Sequence, residues 1–272
     1  MERARLRAVS ACTGLVMLVV AMSGVARASD DPDVIMRDLY RSTLNERRSG
    51  RLKLTVVKDG GEKRERIMRV SSKGDGKTRK SIIQVESPAD VRGTGFVSVE
   101  YPGTSQAAER WLFLPNLKRT SRVAGGQLSS SFLGSDLSFA DLGQLDPNLF
   151  TFTMQKPAES VDGEECWVIG AKPKSAAIAR EIGYTEAQLW ISKSKLAVVR
   201  MRGAISESKR LKYFQASSFR KLGQVWMPDT LTVRTVEAGK LQSESTLQTL
   251  ENRVDPGLSD DDFTKQRLEA GP

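Results

Sequence analysis

The most constraining feature of this chain is a succession of short alternating segments, each closed by turn residues, running from Arg51 to Leu250. In Arg51 to Lys58, Leu52, Leu54 and Val56 share one face, and Asp59-Gly60-Gly61 turns the chain into Arg64 to Ser71. Runs of the same kind recur at Ser81 to Val85, Gly95 to Tyr101, Glu109 to Leu114, Phe150 to Gln155 and Cys166 to Ala171. They continue at Thr185 to Ile191, Leu196 to Arg202, Arg210 to Ala216, Leu231 to Glu237 and Leu241 to Leu250. Short strands in this number and at this spacing predict a mainly β fold on an antiparallel sheet, and a sheet that large must curl or close. The alternation is often one-sided: Ala197, Val199 and Met201 oppose Arg200 and Arg202, so one face is dry and the other wet.

A dry face needs a cover, and the chain offers three. Asp31-Pro32 caps a predicted amphipathic helix carrying Val34, Ile35, Leu39 and Leu44, which Ser49-Gly50 is expected to end. Asp136 to Leu142 is expected to form a brief helix capped by Ser135 or Asp136, and Ser259 to Leu268 another, with Ser259 as its cap. With so few helices and only 6% aromatic residues, the middle of the sheet is left with a gap that is either plain core or a ligand cavity.

The first residues read as an export signal. Arg3, Arg5 and Arg7 precede an apolar stretch from about Ala8 to Met22, and Ala26-Arg27-Ala28 supplies the small-x-small cleavage pattern. The cysteine of Val9-Ser10-Ala11-Cys12 precedes the apolar stretch, whereas a lipid-attachment cysteine would follow it. Cleavage after Ala28 leaves Cys166 as the one thiol, so no intramolecular disulfide is available, and its apolar setting reads as a small buried hydrophobe.

The chain has no histidine, which excludes Ser-His-Asp and Cys-His nucleophiles and His-ligated metals. Ala124-Gly125-Gly126 lacks the Lys-Ser/Thr of a P-loop. No cofactor or metal is expected, and export argues against nucleic acid despite a net charge of +9 and a pI near 9.6.

The central segment carries the densest pattern. Trp111 to Arg119, with Pro115 at its turn, is followed by Ser121-Arg122 and then by Ser131 to Leu142. Together with Arg92 to Phe96, Val161-Asp162-Gly163 through Trp167, and Leu258 to Phe263 with Leu268, it resembles the outer membrane lipoprotein-sorting proteins, relatives of the carrier LolA. Leu137 departs from that pattern, where an aromatic is common. The resemblance implies an incomplete antiparallel barrel closed by helices, a single LolA-like domain over 29–272, and an apolar cavity for acyl chains. It also implies a periplasmic carrier of lipid or lipoprotein, transient membrane contact, and an inner-membrane transporter of the RND/MMPL type as partner. The chain is expected to act as a monomer.

Candidate cavity residues are Trp111, Phe113, Phe132, Leu133, Phe139, Leu142, Trp190, Val199 and Met201, although apolar residues in a motif are more often ordinary core. Lys118, Arg119 and Arg122 are candidates for head-group recognition or docking, against the plainer reading of a basic strand edge. Gly134, Ser135, Asp136 and Asp141 read as turn and capping residues. Two alternatives stand beside the carrier: a LolA-shaped regulatory module that binds a protein partner, and a lipid-modifying enzyme at Ser135-Asp136, which would lack the usual proton acceptor.

Overall fold

The computed structural model describes residues 30–104, 106–143 and 146–272, so the predicted export signal and Cys12 lie outside the described residues. Helix α1 spans Pro32–Ser42, α2 Ala176–Ile182 and α3 Lys265–Glu269. The strands are β1 Arg47–Lys58, β2 Lys63–Gly74, β3 Arg79–Ser87, β4 Gly95–Glu100, β5 Glu109–Leu114, β6 Arg119–Arg122, β7 Phe150–Val161 and β8 Glu164–Pro173. They continue with β9 Tyr184–Ser192, β10 Ala197–Ile205, β11 Arg210–Leu222, β12 Val225–Glu237 and β13 Lys240–Val254.

All thirteen form one antiparallel sheet in the order β6-β5-β4-β3-β2-β1-β13-β12-β11-β10-β9-β8-β7. Every neighbour is a sequence neighbour except β1 and β13, whose pairing joins the two ends of the strand region. The sheet is not closed: β6 and β7 are its edges. Arg119 and Arg122 make β6 basic, and β7 carries Lys156, Pro157 and register shifts on either side of Lys156, all features that discourage pairing with another chain.

The chain crosses between these edges along 123–149, and this crossing fills one half of the inner face. Val123, Leu128, Phe132, Phe139 and Ala140 pack on Leu54, Val56, Met68, Val85 and Phe96. Phe96, Phe132 and Phe139 form a ring triad with centroids 5.3 to 6.4 Å apart, each pair adding about 0.5–1.5 kcal/mol beyond its buried area. The other half is covered by α1 and α2, where Ile35 and Ile182 pack among Phe150, Trp167, Ile169, Leu189 and Ile191.

Several elements differ from expectation. Helix α1 stops at Ser42, because the Thr43 hydroxyl and amide turn back to the Tyr40 carbonyl. Ser49-Gly50 lies inside β1 instead of ending the helix. A Cβ at Gly50 would stand 2.2 Å from the Glu251 carbonyl oxygen, so this glycine serves the close approach of β1 and β13 beside their register shift. Helix α2 was not anticipated, yet its limits are ordinary: the Ser175 hydroxyl accepts from the Ile178 amide, and Gly183 follows at φ +85°. At the C-terminus, Asp261–Phe263 forms a single 3-10 turn and Thr264, not Ser259, caps α3. The Ser259 amide donates to Asp262 instead.

The opposite face holds two smaller clusters. Phe263 and Leu268 cover Ile82 and Val97, with Trp111 and Phe113 beside them. Lys73 and Lys80 clamp Asp260 there and hold its carboxyl down to about 2. The second cluster joins Val161, Cys166 and Val199 to Trp190 and Phe219. Burial pushes the Cys166 thiol up to about 11, so at pH 8 it is the neutral, poorly nucleophilic form. Ellman's reagent is expected to leave the native protein unmodified at pH 8 and to titrate this thiol only in denaturant; rapid native labelling would mean that the cluster opens.

Candidate functional site

Two cavities of the inner face are lined in part by the crossing segment, so its anchoring shapes both. Residues 131–138 form a small hairpin, with Ser131 bridged to Ser138 and the Phe132 amide donating to the Leu137 carbonyl at 2.7 Å. Its turn is Leu133-Gly134, both at positive φ (+52° and +68°), and the Ser135 hydroxyl donates to the Phe132 carbonyl at 2.7 Å. A 3-10 turn over Ala140–Leu142 follows, shorter than the helix expected there.

Asp136 is buried and caps nothing. Its carboxylate accepts from Thr235 at 2.5 Å, from Ser245 at 2.5 Å and from Ser243, while its amide donates to the Ser245 oxygen at 2.8 Å. These bonds pin the hairpin to β12 and β13. Asp141 makes the second anchor: Oδ2 accepts from the Ser138 amide at 2.7 Å and from Lys212 at 3.2 Å, and Oδ1 accepts from the Tyr184 hydroxyl at 2.8 Å. Burial and the adjacent Asp141 carboxylate hold the Tyr184 hydroxyl well above its ordinary range, so it remains a donor. Gly203 makes room for that ring, since a Cβ there would stand 2.7 Å from it.

The first region is an apolar pocket of about 260 Å³ between α1 and β7 to β10. Met36, Leu39, Tyr40 and Thr43 roof it, and Phe150, Phe152, Ala171, Ala187, Leu189, Val198, Met201 and Pro147 make the floor and sides. Tyr40 and Thr43 are the polar residues of its lining. Burial, with the carboxylates of Asp146 and Glu100, pushes the Tyr40 hydroxyl up to about 12, so it is uncharged. The roof is lightly fixed: of the α1 side chains only Ile35 is buried, and Trp167 Nε1 ties the segment before it to Asp30 at 2.7 Å. The volume lies just under the ~300–1,000 Å³ of ordinary ligand pockets, so a long chain enters only if α1 lifts.

The second region is a larger polar cavity of about 690 Å³ at one end of the inner face, between the 131–138 hairpin, the end of α2 and the turn joining β10 to β11. Seven serines, Thr235 and the carboxylates of Asp136 and Glu207 line it, together with Lys58, Arg180, Arg210 and Lys212.

Of the residues singled out from the sequence, Met201 lines the apolar pocket. Phe132 and Phe139 belong to the aromatic triad, with Leu133 and Leu142 packed against it. Trp111 and Phe113 stand under the C-terminal segment, and Trp190 and Val199 in the Cys166 cluster, both on the opposite face. Pro115 opens a 3-10 turn that Lys118 closes at φ +46°. Arg119 and Arg122, three apart on strand β6, point to opposite faces. Among the three basic candidates Arg122 borders a cavity, one of about 410 Å³ near Glu100 and Arg110. The pocket's α1 wall lies outside the residues expected to line a cavity, although Met36, Leu39 and Tyr40 have the spacing of one face of an amphipathic helix.

Comparison with solved structures places this fold. A domain assigned to the outer membrane lipoprotein-sorting proteins of Vibrio parahaemolyticus superposes with a TM-score of 0.78 at 22% identity, covering 88% of this chain and 98% of its own. A DUF1329 family protein from Desulfovibrio piger gives 0.76 at 26% identity, covering 87% and 97%. A LolA superfamily protein from Nitrosomonas europaea gives 0.64 at 17% identity, covering 87% and 99%. The fold is therefore that of the lipoprotein-sorting and LolA-superfamily proteins. A family model described as "-like: Uncharacterized protein" matches residues 77–270, and the chain belongs to that family. No curated protein matches it.

Proposed function

We propose that this protein is a periplasmic carrier that takes up a lipid, or the acyl chains of a lipidated protein, in the apolar pocket under α1 and ferries it between membranes. In this reading residues 1–28 are a cleaved export signal, residues 29–272 are one LolA-like domain acting as a monomer, and the partner is an inner-membrane transporter of the RND/MMPL type. The observation that carries the reading is the pocket itself, an apolar cavity roofed by a helix with one buried anchor. An acyl chain left in water costs about 0.8 kcal/mol per methylene, so a shuttle needs a dry enclosure and a cover that moves, and no group has to do chemistry. The lipoprotein-sorting name of the Vibrio relative points to the same class of cargo. Against an enzyme, the Ser135 hydroxyl is turned into the Phe132 carbonyl and Asp136 accepts from three hydroxyls.

The test is native mass spectrometry with lipid extraction on Ser29 to Pro272, purified gently from the periplasm of its host. A defined adduct is expected, enriched over the total lipid pool and reduced at least about tenfold by Met201→Asp, which sets an unpaired charge in the pocket. A clean apo mass, under conditions that keep a known lipid carrier loaded, would defeat the reading and turn the search to a protein partner.

A further inference from the structure

The carrier reading uses the apolar pocket and leaves the larger polar cavity unexplained. Its chemistry is specific. The hydroxyls of Ser129, Ser131 and Ser138 donate to the Gly126 carbonyl, the Ser135 carbonyl and the Asp141 carboxylate, and those of Thr235 and Ser243 donate to Asp136. Their protons are engaged with the protein, so what they offer the cavity is lone pairs. A ligand at this wall must bring its own hydrogen-bond donors, while the hydroxyls of Ser206 and Ser208, at the β10–β11 turn, donate to no acceptor among the described residues.

The charges say what else it must bring. Lys212 is neutralised by Asp141 at 3.2 Å and Arg210 by Glu237 at 3.1 Å. Lys58 and Arg180 also line the cavity and form no ion pair among the described residues. Two unpaired cations on a wall that also carries two carboxylates without a cationic partner among the described residues, Asp136 and Glu207, call for a group that joins an anion to its own donors, and a phosphate meets both lysine and arginine well.

We infer that the cavity between α2, the 131–138 hairpin and the β10–β11 turn binds a phosphate group that carries hydroxyl or ammonium donors beside it. Phosphoglycerol and phosphoethanolamine have this chemistry; phosphocholine has the phosphate without the donors. Lys58 and Arg180 hold the phosphate, and the hydroxyl wall with Asp136 receives the donors. That the group is the head of the lipid carried under α1 rests on the carrier reading; the cavity's preference does not.

Isothermal titration calorimetry on the full mature chain separates the possibilities, with glycerol 3-phosphate, phosphoethanolamine, phosphocholine and inorganic phosphate as free probes and a short-chain phosphatidylethanolamine as the lipid. The two donor-bearing probes are expected to bind, with phosphocholine and inorganic phosphate at least about tenfold weaker and the Lys58→Ala, Arg180→Ala double variant weaker by a similar factor. Both substituted residues are exposed, so the variant is expected to fold, and a thermal melt checks it. Equal binding of phosphocholine and phosphoethanolamine, no binding of any free probe, or an unaffected double variant would overturn the inference. Free probes that bind while the lipid does not would leave the cavity assignment standing and count against the carrier. Lipid binding that falls in Met201→Asp, with phosphoethanolamine binding unchanged, would support both.

Discussion

Replacing Asp136 with alanine is expected to remove about 3 kcal/mol of stability, a large share of the ~5–15 kcal/mol that holds an ordinary domain. Three hydroxyls, from Thr235, Ser243 and Ser245, lose a carboxylate acceptor inside the protein. Each such loss costs about 1–3 kcal/mol. Part is returned, because the variant no longer buries a carboxylate that has no cationic partner among the described residues. Asp136→Asn keeps one acceptor oxygen and is expected to lose about half as much. Urea unfolding measures both; an alanine variant within about 0.5 kcal/mol of the parent would show that the hairpin is held by its apolar residues alone.

Phe132→Ala is expected to cost still more of the same half of the molecule, about 3–5 kcal/mol. Phe132 is fully buried, stands 6.4 Å from Phe96 and 5.7 Å from Phe139, and is the side chain by which the crossing segment enters the core of β1 to β5. Its removal leaves a cavity that the sheet, fixed by its own ladders, cannot collapse to fill. The midpoint of urea unfolding is expected to fall with its slope unchanged. A loss below about 1 kcal/mol would mean that the segment is not packed into this core.

The sheet was legible from the chain because each strand's evidence is local. Glu109 to Leu114 was bounded to the residue, and the Asp59-Gly60-Gly61 turn lies where expected. Gly50 was misread because a glycine that admits a neighbouring backbone looks, in one dimension, like a glycine that ends a helix. The role of Asp136 was out of reach for a different reason: its partners lie about a hundred positions later, on β12 and β13. Strand alternation puts Trp111 and Phe113 on one face and Leu112 on the other, but in this half both faces are covered, one by the crossing segment and one by the C-terminal segment around α3. Polarity alone then carries no information about which side is inner. The apolar pocket was legible only in part, through Met201, because its roof comes from a helix that the sequence describes as a cover without saying what it covers.

The central claim is that cargo lies between α1 and β7 to β10. Its most direct test is a photo-crosslinking amino acid introduced in the native host at position 152, under α1, and in a parallel chain at position 111, under the C-terminal segment. Illumination of whole cells is expected to attach acyl-bearing molecules at position 152 and not at position 111, as read by intact mass and by lipid analysis of the digested peptide. Lipid adducts at position 111 alone, or at neither position in cells where the protein is folded and exported, would contradict the account.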